Sequence, residues 1–176
     1  MPELPNRHSI RLQGYDYSST GMYFVTIVTQ GHRHLLGEIV GETMQNNRVG
    51  EMVGQQLTHI HDLYENVFVK ESVLMPNHMH YILFFDGYIN ERHAQTLSDI
   101  IRNFKSYTNH LYGQQIGNPS AKLWQRNYYE HIIRNERAYQ LIRSYIIDNP
   151  RRWKHDKMNS SCSQPDEIMR DILRVS

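Results

Sequence analysis

The alternation of apolar and polar residues along the first half of the chain predicts one helix and three strands. Residues 22–29 are aromatic and β-branched, which is typical of a buried strand. Apolar residues at helical spacing predict a helix over Asn47–Tyr64. Two strands follow, Val67–Leu74 and His78–Phe85, and the short link between them predicts an adjacent antiparallel pair.

The second half of the chain shows a helix, a strand and another helix. Helical spacing predicts a helix over Thr96–Leu111, and an aromatic run predicts a fourth strand over Trp124–Ile133. Asn135 is a good N-cap for a helix with an apolar stripe, and Pro150 is expected to end that helix. The polar tail carries one further predicted short helix, Asp166–Val175.

The order strand, helix, strand, strand, helix, strand is that of a ferredoxin-like, or RRM-like, α+β fold. We therefore expect a four-stranded antiparallel sheet with two helices, and the helix after Asn135 appended as a C-terminal catalytic helix. The expected organisation is an N-terminal arm (1–20), one domain (21–155) and a C-terminal tail (156–176). The segments Gly31–Gly41 and Asp86–Glu91 are predicted to be a turn region and a loop.

Composition limits the classes of protein to which the chain can belong. A chain of 176 residues can bury a core, and its net charge of +1 is not the strongly basic balance typical of nucleic-acid-binding proteins. No apolar run approaches the roughly 18 residues that cross a bilayer, and the start shows no signal peptide. The single cysteine, Cys162, excludes an internal disulfide framework, so a cytoplasmic setting is expected.

Histidines at alternate positions are the strongest chemical signal. The chain holds three His-x-His triplets: His32/His34, His59/His61 and His78/His80. In a helix, residues two apart lie about 200° apart around the axis, which disfavours a shared metal at the second triplet. The first triplet flanks a cation, Arg33, which disfavours a metal dication. In the third, strand geometry points both imidazoles to one face, where they can share a metal ion.

Two alternatives apply to this third triplet. Both histidines could be ordinary strand residues with backbone or water partners, and that interpretation stays open on the triplet alone. A histidine-triad nucleotide hydrolase would need a third alternating histidine, but that position holds Ile82.

A tyrosine nucleophile beside such a metal should lie on a helix with a metal ligand four residues later, because positions i and i+4 share a face. Tyr145 with Asn149 meets this condition. The other tyrosines in predicted helices are followed by unsuitable residues; the pairs are Tyr64 with Phe68, Tyr107 with Leu111, and Tyr139 with Arg143. Tyr145 could equally be a core residue of the apolar stripe, and Asn149 a helix terminator before Pro150.

Three motifs together resemble the REP-associated tyrosine transposases, single-tyrosine members of the HUH endonuclease superfamily. They are Val73–His80 around the histidine pair, Trp124–Arg134 on the fourth strand, and Tyr145–Pro150 on the last helix. The resemblance covers about Tyr15 to Trp153, and three motifs in this order are far more specific than one.

The resemblance implies roles for four residues. His78 and His80 are the metal pair, Asn149 the third ligand and Tyr145 the nucleophile. The implied reaction is cleavage and rejoining of single-stranded DNA at hairpin-bearing (REP-like) elements through a 5′-phosphotyrosine intermediate. The implied cofactor is a divalent metal ion, Mg²⁺ or Mn²⁺, which suits a mixed imidazole and oxygen site. Relatives in the wider superfamily can pair the tyrosine and the histidines across a dimer, so either a monomer or a homodimer is implied, and Tyr145 could act in cis or in trans.

Candidate DNA contacts follow from charge and aromaticity. Cations that could hold phosphates are Lys105, Arg126, Arg134, Arg151 and Arg152, and Trp124 is an aromatic on which a base could stack. For each of them a solvated surface charge or a core aromatic is an equal alternative. Two other functions also remain: a non-catalytic nucleic-acid-binding module on the same sheet, and a structural metal-binding protein.

Overall fold

The protein is described by a computed structural model that covers residues 20–87 and 95–175. The strands are β1 (Gly21–Val28), β2 (Gly37–Val40), β3 (Thr43–Asn46), β4 (Val67–Met75), β5 (His78–Phe85) and β6 (Tyr129–Ile133). The helices are α1 (Arg48–Thr58), α2 (Ile60–Leu63), α3 (Leu97–Gln115), α4 (Glu136–Arg152) and α5 (Ile168–Val175). The predicted N-terminal arm, apart from residue 20, and most of the 86–91 loop lie outside the described residues.

The main sheet has the strand order β4-β5-β1-β6, and all its neighbouring strands are antiparallel. β4 and β5 form a hairpin around Pro76 and Asn77, with Met75 paired to His78. The four predicted strands are all present in this sheet. The order and directions are those of the predicted ferredoxin-like fold.

Each face of the sheet packs against a different pair of helices. On one face, alternate β1 residues such as Tyr23 and Val25 join a core cluster with residues of α1 and α3. On the other face, Phe24 joins a second cluster with α4 and α5. The central strands β1 and β5 are therefore buried on both sides, which explains their nearly continuous apolar sequences.

Local sequence explains where the helices begin. The Asn47 side chain accepts hydrogen bonds from the backbone N–H groups of Val49 and Gly50 at 2.9 and 3.0 Å, which caps α1. A side chain at Gly50 would collide with the Leu36 carbonyl oxygen, so α1 can approach that loop closely only with glycine there. Thr96 caps α3 in a reciprocal capping box.

Three expectations about the elements need correction. The predicted turn region Gly31–Gly41 contains β2, which forms a hairpin with β3. The predicted helix Asn47–Tyr64 is divided into α1 and α2 at His59. The fourth strand begins at Tyr129 rather than Trp124, which makes only an isolated bridge to Thr29.

Pro150 does not end the last long helix. α4 continues through it to Arg152 and passes into a 3₁₀ turn, Trp153–His155. A proline removes one backbone N–H, a small loss so close to the helix end, where the N–H of Trp153 still donates to the Pro150 carbonyl. The ring of Trp153 packs against His34 and His78, with centroids 5.5 and 6.1 Å apart, and this packing stabilises the continued turn. Among the described residues, no helix is long and apolar enough to cross a membrane.

Candidate active site

The two histidines of the third triplet lie on the same face of β5, as predicted. The His78 and His80 side chains are buried and their rings lie 4.6 Å apart, centroid to centroid. Met79, between them, points to the opposite face and joins the α1/α3 core cluster. Strand alternation thus places both imidazoles toward α4.

Asn77 determines which nitrogen of His78 carries its proton. Its amide nitrogen donates to the carbonyl oxygens of His32 at 3.1 Å and Met158 at 2.7 Å, so its Oδ1 faces Nδ1 of His78 at 2.9 Å. Because Oδ1 can only accept, Nδ1 of His78 must be the donor. Nε2 of His78 is then left unprotonated in the neutral ring, which is the form that binds a metal.

His80 is held in a comparable way. The hydroxyl oxygen of Thr26, its neighbour on β1, lies 2.7 Å from Nδ1 of His80. This contact leaves Nε2 of His80 pointing into the site. The ring also stacks on Phe24, with centroids 5.2 Å apart, so its orientation is fixed from two sides.

α4 brings the predicted nucleophile and the predicted third ligand to the same place. The Tyr145 ring meets the His80 ring edge-on, with centroids 5.4 Å apart. Asn149, one turn later, is 1% exposed, and its Oδ1 accepts no hydrogen bond from any described residue. The same is true of Nε2 in both histidines. Three buried polar atoms of these residues therefore have no hydrogen-bond partner among the described residues.

A fourth group in the site was missed by the sequence analysis. Asp156 follows the 3₁₀ turn after α4, and its Oδ2 lies 3.7 Å from Nε2 of His78. One ligand atom from each of His78, His80 and Asp156 lies within 4.8 Å of the other two. In the sequence Asp156 sits in a basic stretch after a proline, so helical spacing from Asn149 could not point to it. The only available signal was that it is the single acidic residue of that stretch.

This donor set fits a divalent metal ion. Imidazole nitrogens and amide or carboxylate oxygens are the usual ligands of Mn²⁺, and oxygen ligands suit Mg²⁺. Buried acceptors without donors are costly in a folded protein, and a bound cation would satisfy them together.

The pKa values of His78, His80 and Tyr145 bear on the predicted roles of metal ligand and nucleophile. Burial lowers the pKa of His78 to about 3, although the neighbouring Asn149 side chain acts in the opposite direction. Burial also holds the pKa of His80 well below its usual value, and the nearby His78 adds to this effect. Both rings are therefore neutral near pH 7. Burial, and then the Asp156 charge, raise the pKa of the Tyr145 phenol, so the phenol is protonated near pH 7.

Comparison with known proteins places the chain in a family. The profile of the family described as "Transposase IS200 like" matches residues 42–149, which include His78, His80, Tyr145 and Asn149. The chain belongs to this transposase family. A Haemophilus influenzae protein is 34% identical over 169 residues, covering 87% of this chain and 93% of its own.

The fold of this transposase is similar to a solved one. A REP-associated tyrosine transposase bound to a REP hairpin aligns with a TM-score of 0.60 and 21% identity, covering 81% of this chain and 74% of that chain. At this identity the likeness concerns the fold, and it confirms the predicted α+β class.

The C-terminal segment of the transposase covers the candidate site. A cavity of about 140 Å³ is bordered by His80 and Tyr145 on one side and by Met158 and Met169 on the other. The segment is fastened by an ion pair between Arg152 and Asp166 at 2.6 Å. The tail predicted from 156 onward thus packs on the domain and completes the wall of this cavity.

Two of the predicted DNA contacts have other partners in the structure. The Lys105 ammonium donates to the carbonyl oxygens of Gln125, Arg126 and Asn127 at 2.7, 2.9 and 3.2 Å, and burial lowers its pKa to about 8. Trp124 is 2% exposed and donates to the Thr108 hydroxyl at 2.8 Å. The structure therefore places Trp124 in the core, where a base cannot stack on it without rearrangement.

The predicted arginine contacts are distributed over several surfaces. Arg126 borders an open groove of about 910 Å³ between α3 and the loop before β6, together with Lys105 and Trp124. Arg134 is exposed just after β6. The Arg151 side chain is 70% exposed at the end of α4, whereas Arg152 forms an ion pair with Asp166. Their DNA contacts stay predictions.

The buried neutral histidines predict acid sensitivity of the metal-free protein. The unfolded chain takes up protons on histidine below about pH 6.5, whereas the folded His78 and His80 do not, so stability is lost as pH falls. We expect a loss of about 2.5 kcal/mol from His78 between pH 7 and pH 4.5 and a further loss from His80, offset in part because burial raises the pKa of Asp156. Urea unfolding in EDTA measures this loss.

The control for this prediction is a pair of variants. His78→Gln/His80→Gln should show a shallower dependence of unfolding free energy on pH, whereas His110→Gln, at an exposed position of α3, should follow the wild type. Equal slopes for the wild type and the double variant would contradict the prediction.

Proposed function

We propose that this transposase is a metal-dependent enzyme that cleaves and rejoins hairpin-bearing single-stranded DNA through a 5′-phosphotyrosine on Tyr145. The observation that carries the proposal is the grouping of His78, His80 and Asn149 around Tyr145. One ring nitrogen of each histidine lies within 4.8 Å of the other, the His80 and Tyr145 rings meet edge-on, and the Asn149 side chain acts on both His78 and Tyr145. The family assignment supports strand transfer as the overall reaction. The DNA-hairpin complex of the similarly folded transposase supports the substrate class.

The residues have defined parts in this reaction. His78, His80 and Asn149 would hold a divalent ion, Mg²⁺ or Mn²⁺, which supplies charge stabilisation to a phosphate when bound. The Tyr145 phenol gives up its proton as its oxygen attacks phosphorus. The bond from phosphorus to the 3′ oxygen breaks, and that oxygen takes up one proton and leaves as a free 3′-hydroxyl, so no net proton is gained or lost. The 5′-phosphate stays on Tyr145. Attack by a 3′-hydroxyl on the phosphotyrosine reverses the sequence and rejoins DNA without a nucleotide cofactor.

The geometry also favours action in cis. Tyr145 contacts His80 of its own chain, so one chain can hold both the nucleophile and the candidate ligands. We propose that a monomer suffices for a single cleavage, and that a homodimer is not needed to assemble the site.

The proposal is tested with a pool of single-stranded hairpin oligonucleotides that have randomised flanks and a fluorescent label at the 3′ end. The label should move to a protein–DNA band that survives denaturing electrophoresis when Mn²⁺ or Mg²⁺ is present, and the band should disappear with EDTA. Because the phosphotyrosine holds the 5′ end of the downstream fragment, a 5′ label should not be transferred.

The same assay distinguishes the alternative function. A non-catalytic binding module would retard the hairpin pool in a native gel but form no covalent band with either metal. That outcome would overturn the proposed chemistry while leaving DNA binding intact.

A further inference from the structure

We propose that Asp156 is a fourth ligand of the same cation and that the segment after α4 supplies it. This inference rests on the proposed function, because it concerns the ion held by His78 and His80. The family profile ends at residue 149, so Asp156 lies outside the matched range. The ligand set would then comprise two imidazoles, one carboxamide and one carboxylate.

The first reason is the direction of the lone pairs. Asn77 makes Nδ1 of His78 the proton donor, so a lone pair on Nε2 faces Oδ2 of Asp156 at 3.7 Å. Two acceptors that face each other repel unless a positive charge lies between them or beside them. Nε2 of His80 and Oδ1 of Asn149 are also buried and have no hydrogen-bond partner among the described residues. A shared cation accounts for all of these groups, whereas an isolated pair between His78 and Asp156 leaves two of them unsatisfied.

The second reason is that backbone contacts hold the carboxylate in place. The other oxygen of Asp156, Oδ1, accepts from the Met158 N–H at 2.6 Å, and the Asp156 N–H donates to the Trp153 carbonyl at 3.2 Å. The side-chain amide of Asn159 also donates to the Trp153 carbonyl at 2.9 Å. One carboxylate oxygen is thus used to fix the turn, and the other is left for the site. The side chain is 5% exposed, so water access to it is small.

The third reason is a connection between this turn and the histidines. Asn77 bonds to Nδ1 of His78 with its oxygen and to the Met158 carbonyl with its nitrogen. The same side chain therefore orients one candidate ligand and fastens the turn that carries another. Ligands placed in this way are pre-organised, which is how second-shell residues support metal sites.

Mn²⁺ binding by the metal-free full-length protein tests this assignment, measured by calorimetry and by loss of the free Mn²⁺ electron paramagnetic resonance signal. Asp156→Asn keeps the shape but removes the charge, and it should weaken Mn²⁺ binding about tenfold or more. Asp166→Asn is the matched control, because it removes the ion pair with Arg152 in the same segment but has no atom in the cluster. It should bind Mn²⁺ as the wild type does.

Two outcomes would overturn the inference and leave the proposed function intact. Asp156→Asn could bind Mn²⁺ within twofold of the wild type, or Asp166→Asn could weaken binding as much as Asp156→Asn does. The second result would mean that the segment acts through docking alone. If instead the wild type binds no Mn²⁺, the metal dependence in the proposed function fails as well, so the two failures are distinguishable.

A second measurement covers the case in which Asp156→Asn does not fold, as judged by circular dichroism without metal. Among the proposed ligands Asp156 is the one carboxylate. Adding one equivalent of Mn²⁺ to the metal-free wild type should therefore shift a carboxylate stretching band in the infrared difference spectrum. A difference spectrum with imidazole bands but no carboxylate band would overturn the assignment.

Discussion

Tyr145→Phe is expected to abolish the covalent protein–DNA band while leaving the fold and Mn²⁺ binding unchanged. The substitution removes only the phenolic oxygen, which is the atom that would attack phosphorus. Loss of a covalent nucleophile typically lowers turnover by about 10³-fold or more, because the remaining groups cannot form the intermediate. The edge-on contact with His80 involves the ring, which phenylalanine keeps, so the site geometry should persist.

Tyr139→Phe is the control for this variant. Tyr139 lies on the same helix and packs against the same core cluster as Tyr145, but it is not among the residues that line the cavity with His80. It should form the adduct at the wild-type rate. An adduct of undiminished yield in Tyr145→Phe would refute the nucleophile assignment, and loss of Mn²⁺ binding in that variant would show that the substitution disturbs the site.

Local patterns were sufficient to predict most of the sheet. β-branched and aromatic runs predicted the strands, and the short link at Pro76 and Asn77 predicted the hairpin. Strand alternation predicted that Met79 and the flanking histidines face opposite sides, and the i to i+4 spacing predicted that Tyr145 and Asn149 share a helix face. These relations concern residues close in sequence, so they do not depend on tertiary packing.

The features that were missed depend on contacts distant in sequence. The helix continues through Pro150, where the loss of one N–H costs little, and the Trp153 ring after it packs on His34 and His78, contacts that no local rule includes. For Trp124 the sequence left both a core position and a DNA contact open, and its burial with a hydrogen bond to Thr108 of α3 favours the core position. Asp156 reaches the site because the turn after α4 folds back onto Asn77. In each case the fold determines the role, and composition or spacing alone could not.

Asn77 shows how such long-range contacts add to a motif that sequence can detect. The motif locates two imidazoles on a strand, but only the contacts of Asn77 with the His32 and Met158 carbonyls determine the proton position on His78. The resulting lone pair on Nε2 makes His78 a candidate metal ligand. Sequence could thus predict where the site lies, and the structure supplies the direction of its acceptor atoms.

His78→Ala and His80→Ala are each expected to lose Mn²⁺ binding and adduct formation together. Each removes one buried nitrogen ligand, and the loss of affinity should exceed the about 10–100-fold that follows loss of a second-shell partner. His61→Ala is the matched control, since His61 belongs to another His-x-His triplet, stacks on Phe68 and is not part of the His78, His80 and Asp156 group. It should retain both properties.

The stability of the same variants separates a metal site from a structural role for the histidines. In EDTA the wild type keeps Nε2 of His78 and of His80 buried without donors, so removing one imidazole also removes an unsatisfied acceptor. The cavity and the lost contact with Asn77 or Thr26 should outweigh that gain, so each variant should be less stable than the wild type in EDTA. With Mn²⁺ the wild type alone should gain stability, because only it binds the ion tightly in the folded state. If either variant forms the adduct at the wild-type rate, that histidine is not a ligand, and the chemistry must be assigned to other residues around Tyr145.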